Sequence, residues 1–281
     1  MDEISDVRPS PIAGTWYSSS PERLSEQVDT YLREARLPDL QGEVIAVVAP
    51  HAGYRYSGRT AGHAFATVLG QERPLVAVVS PMHSPHPASL LTTAHQAYTT
   101  PLGSVPVHET ALGALNDALS REGLRLTPIA NDQEHSLEIE LPFLQRALAG
   151  GFSLLPVMVR SQSPGVARRL GQALANVLRG KSALLVASTD LSHFYPAAVA
   201  MQFDSEMLRR MQTFDPDLLF EAERAGEGFA CGVGATAAVL WAAKALGADA
   251  VEVLHHSNSG DETGDYGSVV GYGAAVALKH A

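Results

Sequence analysis

Short runs of apolar, often β-branched residues recur along the chain, and each one ends at a proline, a glycine or a polar turn. Runs of this length and composition are typical of strands that are buried on both faces of a sheet. We therefore predict central strands at residues 44–49, 75–80, 152–159 and 183–188. Two later runs, residues 251–254 and 268–278, are predicted to be further strands.

Between these runs, apolar residues recur at the spacing of three and four that places them on one face of a helix. The predicted helices are residues 21–36, 59–69, 109–122, 131–151, 166–178, 201–211, 216–225 and a stretch within 228–248. Ser57 is the expected N-cap of the second helix and Asp132 that of the fourth, and Pro142 is expected to kink or restart the fourth. Glu134 and His135 are expected in the first turn of that helix, facing outward.

The alternation of strand and helix predicts an α/β fold, a single doubly wound domain over residues 1–281 with a mainly parallel or mixed central sheet. Two segments depart from the alternation. Residues 1–20 are rich in proline and contain Trp16 and Tyr17, so we expect an extended arm that packs on the body. Residues 90–103 are broken by proline and glycine, and they predict an irregular loop with short strands that could cover a site.

Composition narrows the classes of partner. Twenty Lys and Arg against 30 Asp and Glu give a formal charge of −10, and no basic run is present, so nucleic acid and anionic membrane surfaces are not expected partners. The sequence shows neither a secretory signal nor a membrane-spanning stretch. Cys231 is the single cysteine, which excludes an internal disulfide and suits the reducing cytoplasm.

Several side chains that can bind a metal or transfer a proton lie where predicted strands end. His51 and His83 each follow a strand, Asp190 and His193 follow another, and Cys231 lies near the start of a helix. In a doubly wound sheet the carboxyl ends of the strands share one edge, so these side chains are expected to converge. Two imidazoles and a thiolate form a three-ligand metal site with open positions, which suits zinc, ferrous iron or copper.

The same residues have ordinary structural interpretations. A histidine after a strand often caps the backbone, and a lone buried cysteine is often a small core residue, although a helix start would lower its thiol pKa. Asp190 and His193 can support a ligand or act as acid and base, or simply cap a turn. Glu134 and His135 are similar candidates, with helix capping as the alternative.

The ordered motifs resemble the Memo family. An arm reading RPSPIAGTWY precedes PHAGYRYSG, SPMHS, TPLGSV, EHSLEIELPFL, STDLSHF, ACG and SVVGYGAAV, and together they run from Arg8 to about Val276. The resemblance implies a fold similar to the catalytic subunit of class III extradiol ring-cleavage dioxygenases, which use non-haem iron. It also implies that prokaryotic members, labelled AmmeMemoRadiSam system protein B, have an AMMECR-type protein and a radical SAM enzyme as partners.

Residue by residue, the resemblance implies that His51, His83 and Cys231 are the metal ligands and that Asp190, His193 and His135 are acidic and basic residues of the pocket. The dioxygenases have a glutamate where this chain has Cys231, so the resemblance supports the fold more directly than catechol cleavage. Eukaryotic members are described as copper- or iron-binding redox proteins, and iron is the expected metal.

Three functions are compatible with these residues. The first is a metal-dependent oxidoreductase of dioxygenase-like fold that acts on a small oxygenated substrate. The second is a metal-binding or peptide-binding module without turnover that works beside a radical SAM partner. The third is a hydrolase in which Cys231 is the nucleophile, with His193 and Asp190 as base and orienting group.

Overall fold

A mixed β-sheet forms the centre of the protein in the computed structural model, which describes residues 6–280. Its strands follow the order β10-β12-β2-β9-β3-β8-β4-β7, and β11 pairs with β12. The bounds are β2 Glu43–Ala49, β3 Leu75–Pro81, β4 Leu90–Thr93, β7 Leu126–Ile129, β8 Ser153–Val159, β9 Ala183–Ser188, β10 His193–Tyr195, β11 Ala250–Asn258 and β12 Val269–Lys279. This arrangement confirms the predicted α/β class with a mixed sheet.

The middle of the sheet is parallel. Strands β2, β9, β3 and β8 are parallel neighbours, whereas β12 joins β2 and β4 joins β8 in antiparallel pairs. Valine, leucine and alanine dominate the parallel strands because side chains on both faces of such a sheet are buried. The four predicted central strands match these strands closely.

Helices cover both faces of the sheet and form two apolar cores. One core contains residues of α1, α2 and α4, and the other contains residues of α3, α5, α6, α7 and α8. The bounds are α1 Pro21–Glu34, α2 Tyr54–Ala66, α3 Glu109–Arg121, α4 Leu141–Ala147, α5 Pro164–Leu178, α6 Ala197–Gln212, α7 Asp217–Ala225, α8 Val233–Ala245 and α9 Gly260–Thr263. None of the helices over residues 6–280 combines the length and apolar character needed to cross a membrane.

The N-terminal arm is built into a small second sheet. Strand β1, Val7–Arg8, pairs in parallel with β5, Ala97–Thr100, which pairs in turn with β6, Gly103–Pro106. Of the predicted arm, residues 1–5 lie outside the described residues. From residue 6 onward the arm packs on the body as expected, with Tyr17 in the core.

Arg8 anchors this arm to the body. Its buried guanidinium contacts both carboxylate oxygens of Asp132 and one of Glu138, and it donates to the backbone oxygen of Glu134 at 2.8 Å. A buried arginine needs such partners because unpaired charge is costly inside a protein. The arm therefore fixes the position of the segment that carries Glu134.

Three local predictions are wrong, each for a physical reason. The helix predicted to start after Ser57 begins at Tyr54 with Gly53 as N-cap. Ser57 therefore lies inside the helix, and its hydroxyl donates to the carbonyl of Ala52, which precedes the helix. Asp132 caps no helix because Arg8 engages it, so the segment up to Leu137 is a loop.

A short 3-10 turn, Glu138–Glu140, follows that loop, and α4 starts at Leu141. Pro142 thus lies in the first turn of α4, in agreement with the predicted restart. Glu134 does not face outward from a helix, since it is 4% exposed. Residues 90–103 contain the short strands that were expected, with β4 in the central sheet and β5 in the small one.

Candidate metal centre

Three residues stand at equivalent positions along one edge of the sheet. Strands β2, β9 and β3 are adjacent and parallel, and His51, Asp190 and His83 each follow the last residue of one of them by two positions. Because the carboxyl ends of parallel strands meet at one edge, the topology alone places Asp190 between the two histidines.

Cys231 reaches the same place from the segment before α8. Its backbone N–H donates to the Asp190 carbonyl at 3.2 Å, and its Sγ lies 3.2 Å from Nε2 of His51. One ligand-type atom from each of His51, His83 and Cys231 lies within 4.8 Å of the other two. The structure therefore brings the three expected ligands together.

Glu134 orients His83. The Glu134 carboxylate accepts the backbone N–H of His83 at 2.6 Å and Nδ1–H of its ring at 2.9 Å. Burial opposes ionisation of Glu134, but hydrogen bonds from His83 and from the Ser136 N–H outweigh it and lower the pKa of this carboxyl well below its usual value. The same contact raises the pKa of His83 against the effect of its burial. In the neutral ring Nδ1 carries the proton donated to Glu134, so Nε2 is the nitrogen with a lone pair for a metal.

Ser188 holds the other imidazole. Nδ1 of His51 is hydrogen-bonded to the Ser188 hydroxyl at 2.8 Å, and this hydroxyl lies 2.7 Å from the buried carboxyl of Glu140. His51 is 1% exposed, and burial followed by the nearby His135 and His83 lowers its pKa well below the ordinary value, so the ring is neutral. A neutral imidazole is the form that binds a metal.

The environment of Cys231 differs from the expectation. Burial and the neighbouring charge of Asp190 raise the pKa of the thiol, although the Asp190 N–H points at Sγ from 3.2 Å. Cys231 does lie near the start of α8, two residues before Val233, but burial outweighs the lowering of the pKa that a helix start was expected to give. Deprotonation of this thiol therefore calls for a cation at the site.

Asp190 stabilises the candidate centre through a hydrogen bond with the backbone of His51. It is 4% exposed, and its Oδ1 accepts the backbone N–H of His51 at 2.8 Å. Burial raises its pKa to about 7, against the opposing effect of the His51 N–H. It does not fix a ring tautomer; that role falls to Glu134 for His83 and to Ser188 for His51.

His135 and His193 complete the histidine cluster. The ring of His135 lies 4.8 Å from that of His83 and 5.4 Å from that of His51, and it packs on Trp16 at 4.1 Å. Burial lowers the pKa of His135 to about 4, so it is neutral near pH 7. His193 is the first residue of β10, and its Nδ1 donates to the Leu191 carbonyl at 2.7 Å.

A pocket of about 680 Å³ opens onto the two histidines. Its wall includes the six residues Trp16, Tyr56, His135, His193, Phe194 and Tyr272. Among the described residues, neither residues 90–103 nor Cys231 belong to this wall.

The donor set fits a transition metal. Both imidazoles have Nδ1 hydrogen-bonded to the protein and Nε2 left over, and the third donor is a soft sulfur. A second group, His83, Glu134 and His135, also lies within 4.8 Å. Its carboxylate already accepts N–H groups from His83, His135 and Ser136, so it fits a metal less well.

Sequence reasoning missed two residues of the centre, Ser188 and Glu140. Both lie within the motifs STDLSHF and EHSLEIELPFL, but neither is a metal ligand. Their importance follows only from contacts across 137 and 48 residues of sequence, which no local pattern encodes.

Fold and site together define a class: an α/β protein with a pocket at the carboxyl edge of its sheet and two imidazoles and a thiol beneath it. Comparison with known proteins gives the family. The Memo-like protein family model matches residues 8–276, and the chain belongs to this family.

Relatives of full length support the same assignment. A MEMO1 family protein of Methanopyrus kandleri is 34% identical over 275 residues, which cover 94% of this chain and 96% of the relative. A MEMO1 family protein of Nitrosopumilus maritimus is 31% identical over 272 residues, with 95% and 98% covered.

A solved structure supports the fold alone. The uncharacterized protein JW3007 from Escherichia coli K12 superposes with a TM-score of 0.55 at 14% sequence identity, covering 83% of this chain and all of that one.

Proposed function

We propose that this Memo family chain is a metal-dependent, oxidoreductase-like protein whose metal is held by His51, His83 and Cys231. The observation that carries the proposal is the pairing of each imidazole Nδ1 with a protein group, which leaves two Nε2 atoms beside one sulfur. Iron is the first candidate, and copper and zinc accept the same donors. A bound iron or copper would supply one-electron and O₂ chemistry at the pocket.

The residues of the chain bind and orient the substrate. His193 donates through Nδ1 to a backbone carbonyl, so its Nε2 is free to accept a proton from a pocket ligand. Asp190 and His135 line the same pocket and are the further candidates for proton handling. Trp16, Tyr56 and Tyr272 offer aromatic surface that excludes water from the ligand.

The pocket walls suggest the charge of the substrate. Among the described residues that line the pocket there is no lysine or arginine, whereas Asp190 and Asp265 contribute carboxyl groups. Beyond the reach of the proposed metal ion, a phosphate or carboxylate group of a ligand would have no cationic side chain of the protein to pair with. We therefore favour a small oxygenated substrate whose part away from the metal is neutral or cationic.

Metal analysis tests this proposal. Protein purified anaerobically without chelators should carry iron or copper close to one equivalent per chain, and the double variant His51→Ala, His83→Ala should carry none. His86→Ala is the matched control, because this histidine lies in the same loop as His83 but its one side-chain hydrogen bond to a described residue is with the Ala88 N–H. Metal content that is the same in all three proteins would refute the proposal.

A second candidate is a metal-binding or peptide-binding module without turnover. The observation in its favour is Phe194, which is 75% exposed at the pocket wall and has a left-handed backbone, with φ of 65°. An exposed apolar side chain whose backbone is held in a strained, left-handed conformation is typical of a contact surface. The resemblance suggests AMMECR-type and radical SAM proteins as the partners, in a cytoplasmic setting.

This module would co-purify with its partner through Phe194 and would consume no O₂ with a panel of small oxygenated substrates. Phe194→Ser should then abolish co-purification without loss of metal. Oxygen consumption that depends on His51 would decide for the oxidoreductase.

The hydrolase with a Cys231 nucleophile has weaker support. The raised pKa of the thiol, and the fact that Cys231 is not among the described residues of the pocket wall, disfavour attack on a pocket ligand. The ring beside the sulfur is also His51 rather than the expected His193. A thiol-specific reagent that leaves activity intact would eliminate this function.

A further inference from the structure

The Ser188 hydroxyl is the meeting point of three buried polar groups. Its Oγ lies 2.8 Å from Nδ1 of His51, 2.6 Å from the Ser136 carbonyl oxygen and 2.7 Å from Oε1 of Glu140. All three distances are hydrogen-bond distances, so each contact needs one proton. Ser188, Ser136 and Glu140 are fully buried, and protein groups must supply those protons.

Only one distribution of protons satisfies all three contacts. The Ser136 carbonyl can only accept, so the single hydroxyl proton of Ser188 must go to it. The other two contacts then require that His51 and Glu140 donate to the lone pairs of Oγ. His51 must carry its proton on Nδ1, and Glu140 must carry one on Oε1.

Any other distribution leaves a contact without a proton. If Glu140 were ionised, the Ser188 hydroxyl could donate its one proton either to Glu140 or to the Ser136 carbonyl. The acceptor without the proton would face an oxygen lone pair of Ser188 at 2.6 or 2.7 Å. If Nδ1 of His51 accepted the hydroxyl proton, the Ser136 carbonyl oxygen would face an oxygen lone pair of Ser188 with no proton between them. Buried polar groups rarely remain unpaired in this way.

From this geometry we infer that Glu140 is a neutral carboxylic acid and acts as a positioning residue: through Ser188 it fixes the tautomer of His51 with Nε2 free for the metal. The consequence for the metal rests on the function proposed above, whereas the protonation and the tautomer are properties of the chain itself.

The surroundings of Glu140 agree with a neutral acid. Its second oxygen, Oε2, has no hydrogen-bond partner among the described residues, and no cationic side chain contacts the group. Glu138, two residues earlier and equally buried, has Arg8, Tyr17 and Ser10 as partners. Burial, with Asp190 as a further contributor, raises the pKa of Glu140 well above its usual value.

The two imidazoles are therefore supported differently. His83 donates to an ionised carboxylate, which raises the basicity of a ligand, whereas His51 donates to a hydroxyl backed by a neutral acid. The centre gains the orientation of His51 without a second buried anion.

Infrared spectroscopy of the metal-free protein tests the protonation. At a pH high enough to ionise Asp190, the wild type should retain the carbonyl stretch of a protonated carboxylic acid, and Glu140→Gln should lose it. Asp190→Asn is the matched control and should keep the band. A wild-type spectrum without this band, or a band that survives Glu140→Gln, would overturn the inference.

Nitrogen NMR of the metal-free protein tests the tautomer. His51 should be protonated at Nδ1 in the wild type and in Glu140→Gln, whose amide N–H can donate to Ser188 in place of the acid. Ser188→Ala should give a mixture of tautomers. A wild-type ring protonated at Nε2 would refute the positioning role, and neither spectrum depends on metal binding.

Metal affinity then connects the two proposals. Ser188→Ala and Glu140→Ala should each weaken binding about 10–100-fold, the usual effect of losing a group that orients a ligand, and Glu140→Gln should restore most of it. A Glu140→Gln protein as weak as Glu140→Ala would contradict the neutral-acid role. A wild type that binds no metal, with both spectra as expected, would refute the proposed function only.

Discussion

The sulfur of Cys231 lies 3.2 Å from Nε2 of His51, although 180 residues separate them in the chain. The contact forms because His51 follows β2 while the segment before α8 is tied by its backbone to Asp190, which follows the neighbouring strand β9. The sheet thus brings two distant turns together, and the sulfur of Cys231 lies beside the imidazole of His51.

Cys231→Ser should weaken metal binding more than about 100-fold, beyond the range expected for residues that only orient a ligand. The hydroxyl is of similar size, but at neutral pH it does not ionise to an anionic ligand as a thiol does next to a metal. Equilibrium titration with Fe²⁺ and Cu²⁺ measures the effect. Thermal unfolding of the metal-free variant is the control, and unchanged affinity would exclude the sulfur as a ligand.

Glu134→Gln should weaken metal binding about 10–100-fold, or about 1.4–2.7 kcal/mol. The amide cannot replace the anion that accepts both N–H groups of His83, so the ring loses its orientation and some of its basicity. Titration calorimetry is the measurement, with the exposed Glu122→Gln as control. Equal affinity of the two variants would show that His83 needs no carboxylate.

Arg8→Met should lower the free energy of unfolding by about 3–5 kcal/mol, because it leaves the buried Asp132 and Glu138 without their cation. Urea denaturation measures the loss, and Arg23→Met on the exposed face of α1 should be nearly neutral. The variant should also bind metal more weakly, since Arg8 donates to the Glu134 carbonyl. Wild-type stability would show that the arm is dispensable.

Gly271→Ala should destabilise the protein by about 1–3 kcal/mol, the usual cost of overpacking. A Cβ at this position in β12 would lie 1.9 Å from Oδ2 of the buried Asp204. Gly113→Ala in α3 is the matched change: its Cβ meets nothing within 4 Å, and it should stabilise the helix by about 0.5–1 kcal/mol. Thermal melts that rank the two in the opposite order would contradict the packing described here.

The convergence of the proposed ligands could be predicted from sequence because it is a property of topology. Once residues 44–49 and 75–80 are recognised as parallel strands, His51 and His83 must stand at one edge of the sheet. That inference needs no side-chain detail, and it extends to Asp190 after β9.

The support of these ligands was not predictable in the same way. The leucine spacing after Asn131 indicates a helix, but the ion pairs of Arg8 hold Asp132 in a loop, and this loop turns Glu134 toward His83. Ser57 was an attractive N-cap by residue type, yet α2 begins three residues earlier, and the Ser57 hydroxyl donates to the Ala52 carbonyl. Such outcomes depend on partners from distant parts of the chain, which local propensity does not contain.

Trp16 packs on His135 within the pocket wall, whereas Trp241, the other of the two tryptophans, stacks on Phe220 of α7. The molecule thus carries its own optical reporter. Occupation of the pocket by a redox-active ion should quench the emission of one indole and spare the other, so a Trp241→Phe protein would signal loading of the centre without any added dye.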